Sequence, residues 1–303
     1  MTNVINQVIM LTIIMGVGFY SRKKAFINKE VSKGLSDILM NVTLPMLIIS
    51  SFNFDYSKEL ANNIKWMVAY SILAHVILII MSKLFFCKFN KNKRSILRFI
   101  CIFSNYGFMG YPILESLYGK VSIFYASIYG IAFNVFSLSY GIVLLTGKKD
   151  SDAFKNVITH PGIISVFIGL ILFLFSIKLP ICIGKAINIV GDMTVPLSMI
   201  IIGAMLADAN FKEVFSDFSL YYLCMVRLIV IPFLTLLLLK TLNINKLILN
   251  ILVILQAMPG AAITGVFAEK YNADTVLASK AVFITTLFSI ITIPLIATIL
   301  SVI

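Results

Sequence analysis

Long apolar stretches, separated by short clusters rich in Lys, Asn, Gly and Pro, follow one another along this chain as far as Ile303. A membrane-spanning helix needs about 20 consecutive, mainly apolar residues. The stretches predict helices near 3–21, 34–52, 61–86, 95–117, 120–146, 161–178, 184–207, 217–240, 246–269 and 274–302. The pattern therefore predicts ten spans, joined by loops too short for a soluble domain. The first stretch, Val4 to Tyr20, has no Lys or Arg before it and no small-residue cleavage site after it, so it reads as a retained span and not as a signal peptide.

Composition agrees with this pattern. Hydrophobic residues make up 60% of the 303 and charged residues 13%, against about 45–50% apolar and about 25% charged in soluble domains; mean hydropathy is +1.00. The net charge of +12 would fit a nucleic-acid partner, but the Lys and Arg residues gather in particular loops. With the N-terminus outside, the cytoplasmic loops hold Arg22, Lys23, Lys24, Lys29 and Lys33, the run from Lys83 to Arg98, then Lys148, Lys149, Lys155, Lys212 and Lys270. That is sixteen basic residues against seven on the other face. This asymmetry orients a chain in a bilayer, predicts both termini outside and excludes nucleic acid as the explanation. The four cysteines, Cys87, Cys101, Cys182 and Cys224, have neither metal-binding nor redox spacing.

Sliding the chain on itself by 151 residues brings Asn41-Val-Thr-Leu-Pro45 onto Asp192-Met-Thr-Val-Pro196, with Asp37 on Asn188 and Gly18 on Gly169. Near the same offset, Gly107 falls on Gly260, Tyr118 on Tyr271 and His75 on Arg227. Two halves follow, 1–155 with five spans and 156–303 with five more. An odd number of spans per half makes the second half enter the membrane from the opposite side, so the fold expected is all-α, with two inverted five-helix repeats.

The fourth span contains Asn105-Tyr-Gly-Phe-Met-Gly-Tyr-Pro112, and the ninth contains Gln256-Ala-Met-Pro-Gly-Ala-Ala-Ile-Thr-Gly265. Proline removes a donor and glycine lowers the cost of leaving helical geometry, so both helices are expected to break at membrane depth and to cross there. Each break frees a half-helix N-terminus that suits an anion, and a carboxylate is the natural guest. Two ionisable residues lie deep in spans: Arg227, expected to meet the substrate, and His75, a candidate for proton coupling. Asp192 is a second coupling candidate, for a proton or a cation. Asn134 lies among apolar residues and is expected to bond within the core or to the substrate. Glu115 and Lys280 can each reach a nearby surface.

These motifs resemble the auxin efflux carrier family over nearly the whole chain. The match rests on Asn41–Pro45, Asn105–Pro112 with Tyr118-Gly119, Pro196-Leu-Ser-Met-Ile-Ile-Ile-Gly203, and Met258-Pro259 followed by Ala268-Glu-Lys-Tyr271. The resemblance implies a fold like that of sodium/proton antiporters and bile-acid symporters. Spans 1, 2, 6 and 7 would form a scaffold, 3–5 and 8–10 a transport domain moving as an elevator, and two chains a homodimer. It also implies an organic anion as substrate, such as malate, malonate or an auxin-like acid, carried across the cytoplasmic membrane. The family's substrate-lining asparagine and prolines map to Asn105, Pro112 and Pro259. Tyr106, Gly107, Met258, Gly260, Asn134 and Arg227 complete the candidate site. Tyr106 and Tyr111 stand where the family often has small residues, and Gly260 where it has a hydroxyl.

An inorganic-ion antiporter or sodium-coupled symporter on the same fold would need an acidic pair in the core, and only Asp192 qualifies. A membrane-embedded enzyme would need an acidic or nucleophilic cluster. The only close pair, Asp150 and Asp152, sits in a lysine-rich loop, and Gly147-Lys148 lacks the rest of a phosphate-binding loop. The reading is a carrier and not an enzyme, with no cofactor or metal, driven by a gradient of substrate, proton or sodium.

Overall fold

The computed structural model describes residues 2–54, 57–147, 153–207, 214–215, 217–242 and 244–302. Lys148, Lys149, Lys212 and the Asp150/Asp152 pair, used above, lie outside these residues. The described chain is helical, and its only extended pairing is a single bridge. In chain order the helices are α1 (Thr2–Lys23), α2 (Lys29–Ser51), α3 (Lys58–Phe85), α4 (Lys91–Ile102), α5 (a π-helical turn Tyr106–Gly110 running into Tyr111–Tyr118) and α6 (Lys120–Thr146). They continue as α7 (Ala153–Ile158), α8 (Pro161–Leu174), α9 (Ile181–Ala207), α10 (Phe218–Thr241), α11 (Lys246–Ala257), α12 (Ile263–Lys270) and α13 (Thr275–Val302). Among the described residues six helices, α2, α3, α6, α9, α10 and α13, are long and apolar enough to cross a membrane alone; α8 and α11 are shorter apolar helices.

Three prolines inside these helices, Pro45, Pro112 and Pro232, are handled in one way, while Pro294 sits in α13 with no such turn before it. A π-helical turn immediately precedes the proline-bearing segment at Leu39–Thr43 before Pro45, at Tyr106–Gly110 before Pro112 and at Val226–Val230 before Pro232. Widening the turn takes up the hydrogen bond that the imino residue cannot make and the ring's clash with the preceding turn. Pro45 and Pro112 therefore lie within continuous helix. The T-x-P motif of α2 produces no break, and its counterpart in α9 produces only an irregular residue, Met193. Between α4 and α5 the interruption falls at 103–105, ahead of Gly107 and Gly110, which are themselves helical.

The tightest packing is between α1 and the second half of α9. A Cβ on Gly18 would come within 2.1 Å of the Ile200 carbonyl oxygen, and one on Gly203 within 1.9 Å of the Met15 oxygen. Small residues let two apolar helices approach where no hydrophobic drive separates lipid from protein. α8 meets α2 in a related manner, with Gly169 against the Phe52 ring. A second group packs α3 on α6, α10 on α11 and α13, and α5 on α6. Outside the apolar belt, Lys93 bonds Asp217 at 2.6 Å. Burial pushes the Asp217 carboxyl up, but hydrogen bonds from Lys93 and Ser219 outweigh it and hold the group below the ordinary carboxylate range.

Candidate functional site

The two interruptions lie side by side. α4 ends at Ile102 and the chain runs extended through Phe103, Ser104 and Asn105; α11 ends at Ala257 and runs extended through Met258 to Gly260. Ser104 and Gly260 form an antiparallel bridge. The Asn105 N–H donates to the Pro259 carbonyl at 2.8 Å, and the Ala261 N–H donates to the Phe103 carbonyl at 3.0 Å. Backbone groups freed in the buried interior are thus paired with each other. Gly260 permits the contact, because a Cβ there would come within 2.5 Å of Ile100. Its N–H donates to the Thr285 hydroxyl of α13 at 3.2 Å, and Thr285 itself bonds back to the Ala281 carbonyl. Replacing Thr285 by valine should orphan the Gly260 N–H and lower stability by about 1–3 kcal/mol, while Thr285→Ser should cost less. Thermal unfolding in detergent measures both, and a valine variant as stable as the parent would show that the bond contributes nothing.

Arg227 reaches this clasp from α10. It is fully buried; its Nε donates to the Met258 carbonyl at 3.0 Å and one terminal nitrogen to the Cys101 carbonyl at 2.9 Å. Those carbonyls belong to the C-terminal ends of α11 and α4, where helix dipoles present negative partial charge. The guanidinium fork therefore ties the two half-helix ends together, and its remaining terminal nitrogen has no hydrogen-bond partner.

His75 packs on the same side of the clasp, buried against Tyr129 and stacked on Phe136. Its Nδ1 lies 2.7 Å from the Ser71 carbonyl, which can only accept, so Nδ1 carries the proton and Nε2 is left without a partner. Tyr129 in turn accepts from Gln256 at 3.2 Å. Asn134 donates to the Tyr106 hydroxyl at 3.1 Å and to the Gly130 carbonyl; the Tyr106 ring fills the space above Gly130, where a Cβ would come within 2.9 Å of it.

Beside the clasp is a cavity of about 470 Å³ between α9 and α13. Asn105 and Ala262 line it, and they are the residues that cap the N-termini of the second half-helices. Asn105 is 4% exposed and its side chain makes no capping bond. Lys280, Thr286 and Ser279 of α13 also face the cavity, with Met205, Leu206 and Phe283 supplying apolar wall.

Of the residues assigned to the substrate or coupling site from the sequence, Asn105 alone is in the lining of this cavity. Tyr106, Gly107, Pro112, Met258, Pro259 and Gly260 build the clasp or the helix that follows it, while Asn134, His75 and Arg227 lie among the helices packed behind it. Asp192 takes no part in the clasp: its side chain is 57% exposed and its carboxylate lies 3.5 Å from the Lys120 ammonium. Lys280, read from the sequence as reaching a nearby surface, faces the cavity, and the hydroxyls of α13 were missed. Their signal was present as a stripe at helical spacing, Thr275, Ser279 and Thr286 with Phe283 between them, but apolar neighbours on the other faces dilute it.

Comparison with known proteins gives this architecture its context. The family described as "Membrane transport protein" matches residues 3–156 and 150–297. An uncharacterized transporter of Methanocaldococcus jannaschii is 27% identical over 298 residues, covering 95% of this chain and 96% of its own. One of Methanothermobacter thermautotrophicus is 23% identical over 95% of both chains, and the uncharacterized transporter YfdV of Escherichia coli is 23% identical over 97% of both. Matched from its first helix almost to its last, the chain belongs to the membrane transport protein family, the auxin efflux carrier group whose motifs its sequence carries.

Proposed function

We propose that this protein is a secondary carrier of a small organic anion, moved by alternating access. The observation that carries the reading is that the N-terminal caps of both interrupted helices, Asn105 and Ala262, line one cavity together with Lys280. Two helix N-termini and an ammonium group supply positive potential from three directions, which suits a carboxylate. The cavity is larger than a three- or four-carbon dicarboxylate requires and much of its wall is apolar, so an acid with an apolar body suits it better than malonate or malate.

In this proposal the ten spans form two inverted repeats whose broken fourth and ninth helices cross at the clasp. The pairing of Gly18 with α9 and of Gly169 with α2 supports the repeat, because Phe52, which covers Gly169, stands 151 positions before Gly203. Spans 1, 2, 6 and 7 act as scaffold and the remaining spans as a transport domain that slides as an elevator. The lysine-rich loops face the cytoplasm and both termini face out. A homodimer would cover the face of α2 and α9, where Ile38, Ile189 and Met193 are exposed beside the exposed Asp37, a charged group that lipid would not solvate.

Coupling to sodium is the second reading, and Arg227 argues against it. In carriers with broken helices a coupling cation is coordinated by half-helix C-terminal carbonyls. Here those carbonyls, of Cys101 and Met258, already accept from a tethered cation. The expected result is counterflow of a radiolabelled monocarboxylate into preloaded proteoliposomes, unaffected by replacing sodium with choline. Lys280→Gln should raise the half-saturating concentration about tenfold, the loss of one charge-assisted contact. No exchange of any mono- or dicarboxylate by folded protein would refute the proposal.

A further inference from the structure

Opposite the cavity the two halves meet differently. Lys120, at the start of α6, donates to the Asn188 side-chain oxygen at 2.5 Å and lies 3.5 Å from Asp192, one turn further along α9. The repeat counterparts of Asn188 and Asp192 are Asp37 and Asn41, and among the described residues these hold nothing across the boundary: the Asn41 amide donates to the Asp37 carbonyl of its own helix. The cavity has a counterpart as well. Met205 and Thr275 line it, and the positions 151 residues earlier, in the first half, are Phe54 and Phe124. There the space is filled by rings. Phe124 lies 4.7 Å from Phe52, 6.3 Å from Phe54 and 5.3 Å from Phe173, centroid to centroid.

We infer that Lys120, with Asn188 and Asp192, is a latch that works with the Phe52–Phe54–Phe124 cluster to seal the far face while the cavity stands open on the near one. The inference rests on the reading of the protein as a carrier with a sliding domain. α6 belongs to the sliding group and α9 to the scaffold, so the bridge spans the boundary that must slip. Its height supports this. Lys120 begins α6, yet it meets α9 at Asp192, eleven residues past Ile181 and so roughly 17 Å along that helix. The sliding group is thus set toward the cavity's face.

A resting partner for Lys120 lies on its own side of the boundary. Glu115, one turn before the end of α5, interacts electrostatically with both Lys120 and Asp192, and one of its carboxylate oxygens is buried without a hydrogen-bond partner. When the domain slides, Lys120 leaves α9 and turns to Glu115, and the rings of Phe54 and Phe124 part to form the second mouth. One cation with an alternative acceptor on each side of the boundary gives two discrete states instead of a continuum.

The test uses full-length protein in proteoliposomes, with Cys87 and Cys182 changed to serine and Ser279→Cys placed in the cavity as reporter. A membrane-impermeant maleimide applied from the lysine-rich face reports how often that face is open, with no substrate present. Lys120→Met and Asp192→Asn should each lower the labelling rate about two- to fivefold, the range reached by partly exposed ion pairs. The exchange of charges, Lys120→Asp with Asp192→Lys, should restore it. Unchanged labelling in both single variants, or an exchange that labels no faster than they do, would overturn the latch. Because labelling needs no substrate, a latch that fails while wild-type protein still exchanges carboxylates leaves the carrier reading intact. A latch that responds in a protein that exchanges none counts against the substrate class alone.

Discussion

Arg227→Met should destabilise the protein by about 2–4 kcal/mol and abolish exchange. The substitution keeps the volume and removes the fork. It leaves the Cys101 and Met258 carbonyls without donors where no water replaces them, at about 1–3 kcal/mol each. Against this stands a relief, because a fully buried guanidinium with one terminal nitrogen unpartnered carries its own desolvation cost. The loss should exceed the relief, since the two carbonyls lie at neighbouring helix ends whose dipoles add and whose repulsion the cation now screens. Arg227→Lys should fall between, as a point charge cannot donate to both oxygens in fork geometry. Thermal unfolding in detergent checks the ranking of parent, lysine and methionine. A methionine variant that melts with the parent would mean that the clasp does not depend on the side chain.

The second large effect is expected where α1 lies against α9. Gly18→Ala and Gly203→Ala each place a methyl group against a backbone oxygen, at 2.1 and 1.9 Å, where ordinary van der Waals separation begins at 3.4 Å. A side chain could swing aside, but a carbonyl in a helix cannot, so the helices must part by more than an ångström. A cost of about 3 kcal/mol or more follows, from overpacking at the glycine and from weakened dispersion along the rest of the parted interface. The two substitutions strain one crossing, so the double variant should cost less than their sum. Gly16→Ala is the control: it lies on the same helix with nothing within 4 Å of its added carbon, and helix propensity alone should leave it neutral or slightly stabilised. If all three variants melt alike, α1 and α9 are not tightly packed.

The sequence disclosed much of the architecture because the signals that carry it are local. Apolar runs gave helices close to their observed limits, and paired Gly-Pro clusters pointed to the regions where α4 and α11 stop. What it did not disclose needs two distant segments at once. Gly18 stood out by its match to Gly169, yet nothing in the sequence says that the Ile200 carbonyl faces it. Arg227 is deep in an apolar span, which marks it as unusual, but its partners are backbone oxygens, and any residue type supplies those. Lys280 sits two turns into the last helix, where snorkelling is an adequate account until α9 is seen to leave a cavity beside it. The prolines misled for a physical reason: a π-helical turn absorbs the lost bond, so Pro45 and Pro112 mark widened helix and the true interruption lies elsewhere.

The clasp also bears on what genetics can reveal about this protein. Both of its cross-links run from an N–H to a C=O, from Asn105 to Pro259 and from Ala261 to Phe103. Every residue but proline carries that donor and every residue carries that acceptor. A mutational scan read for loss of function will therefore score the neighbours, Gly260 for its size and Thr285 for its hydroxyl, and will pass over the join itself. The element that joins the ends of α4 and α11 is the one least able to show up as an essential side chain.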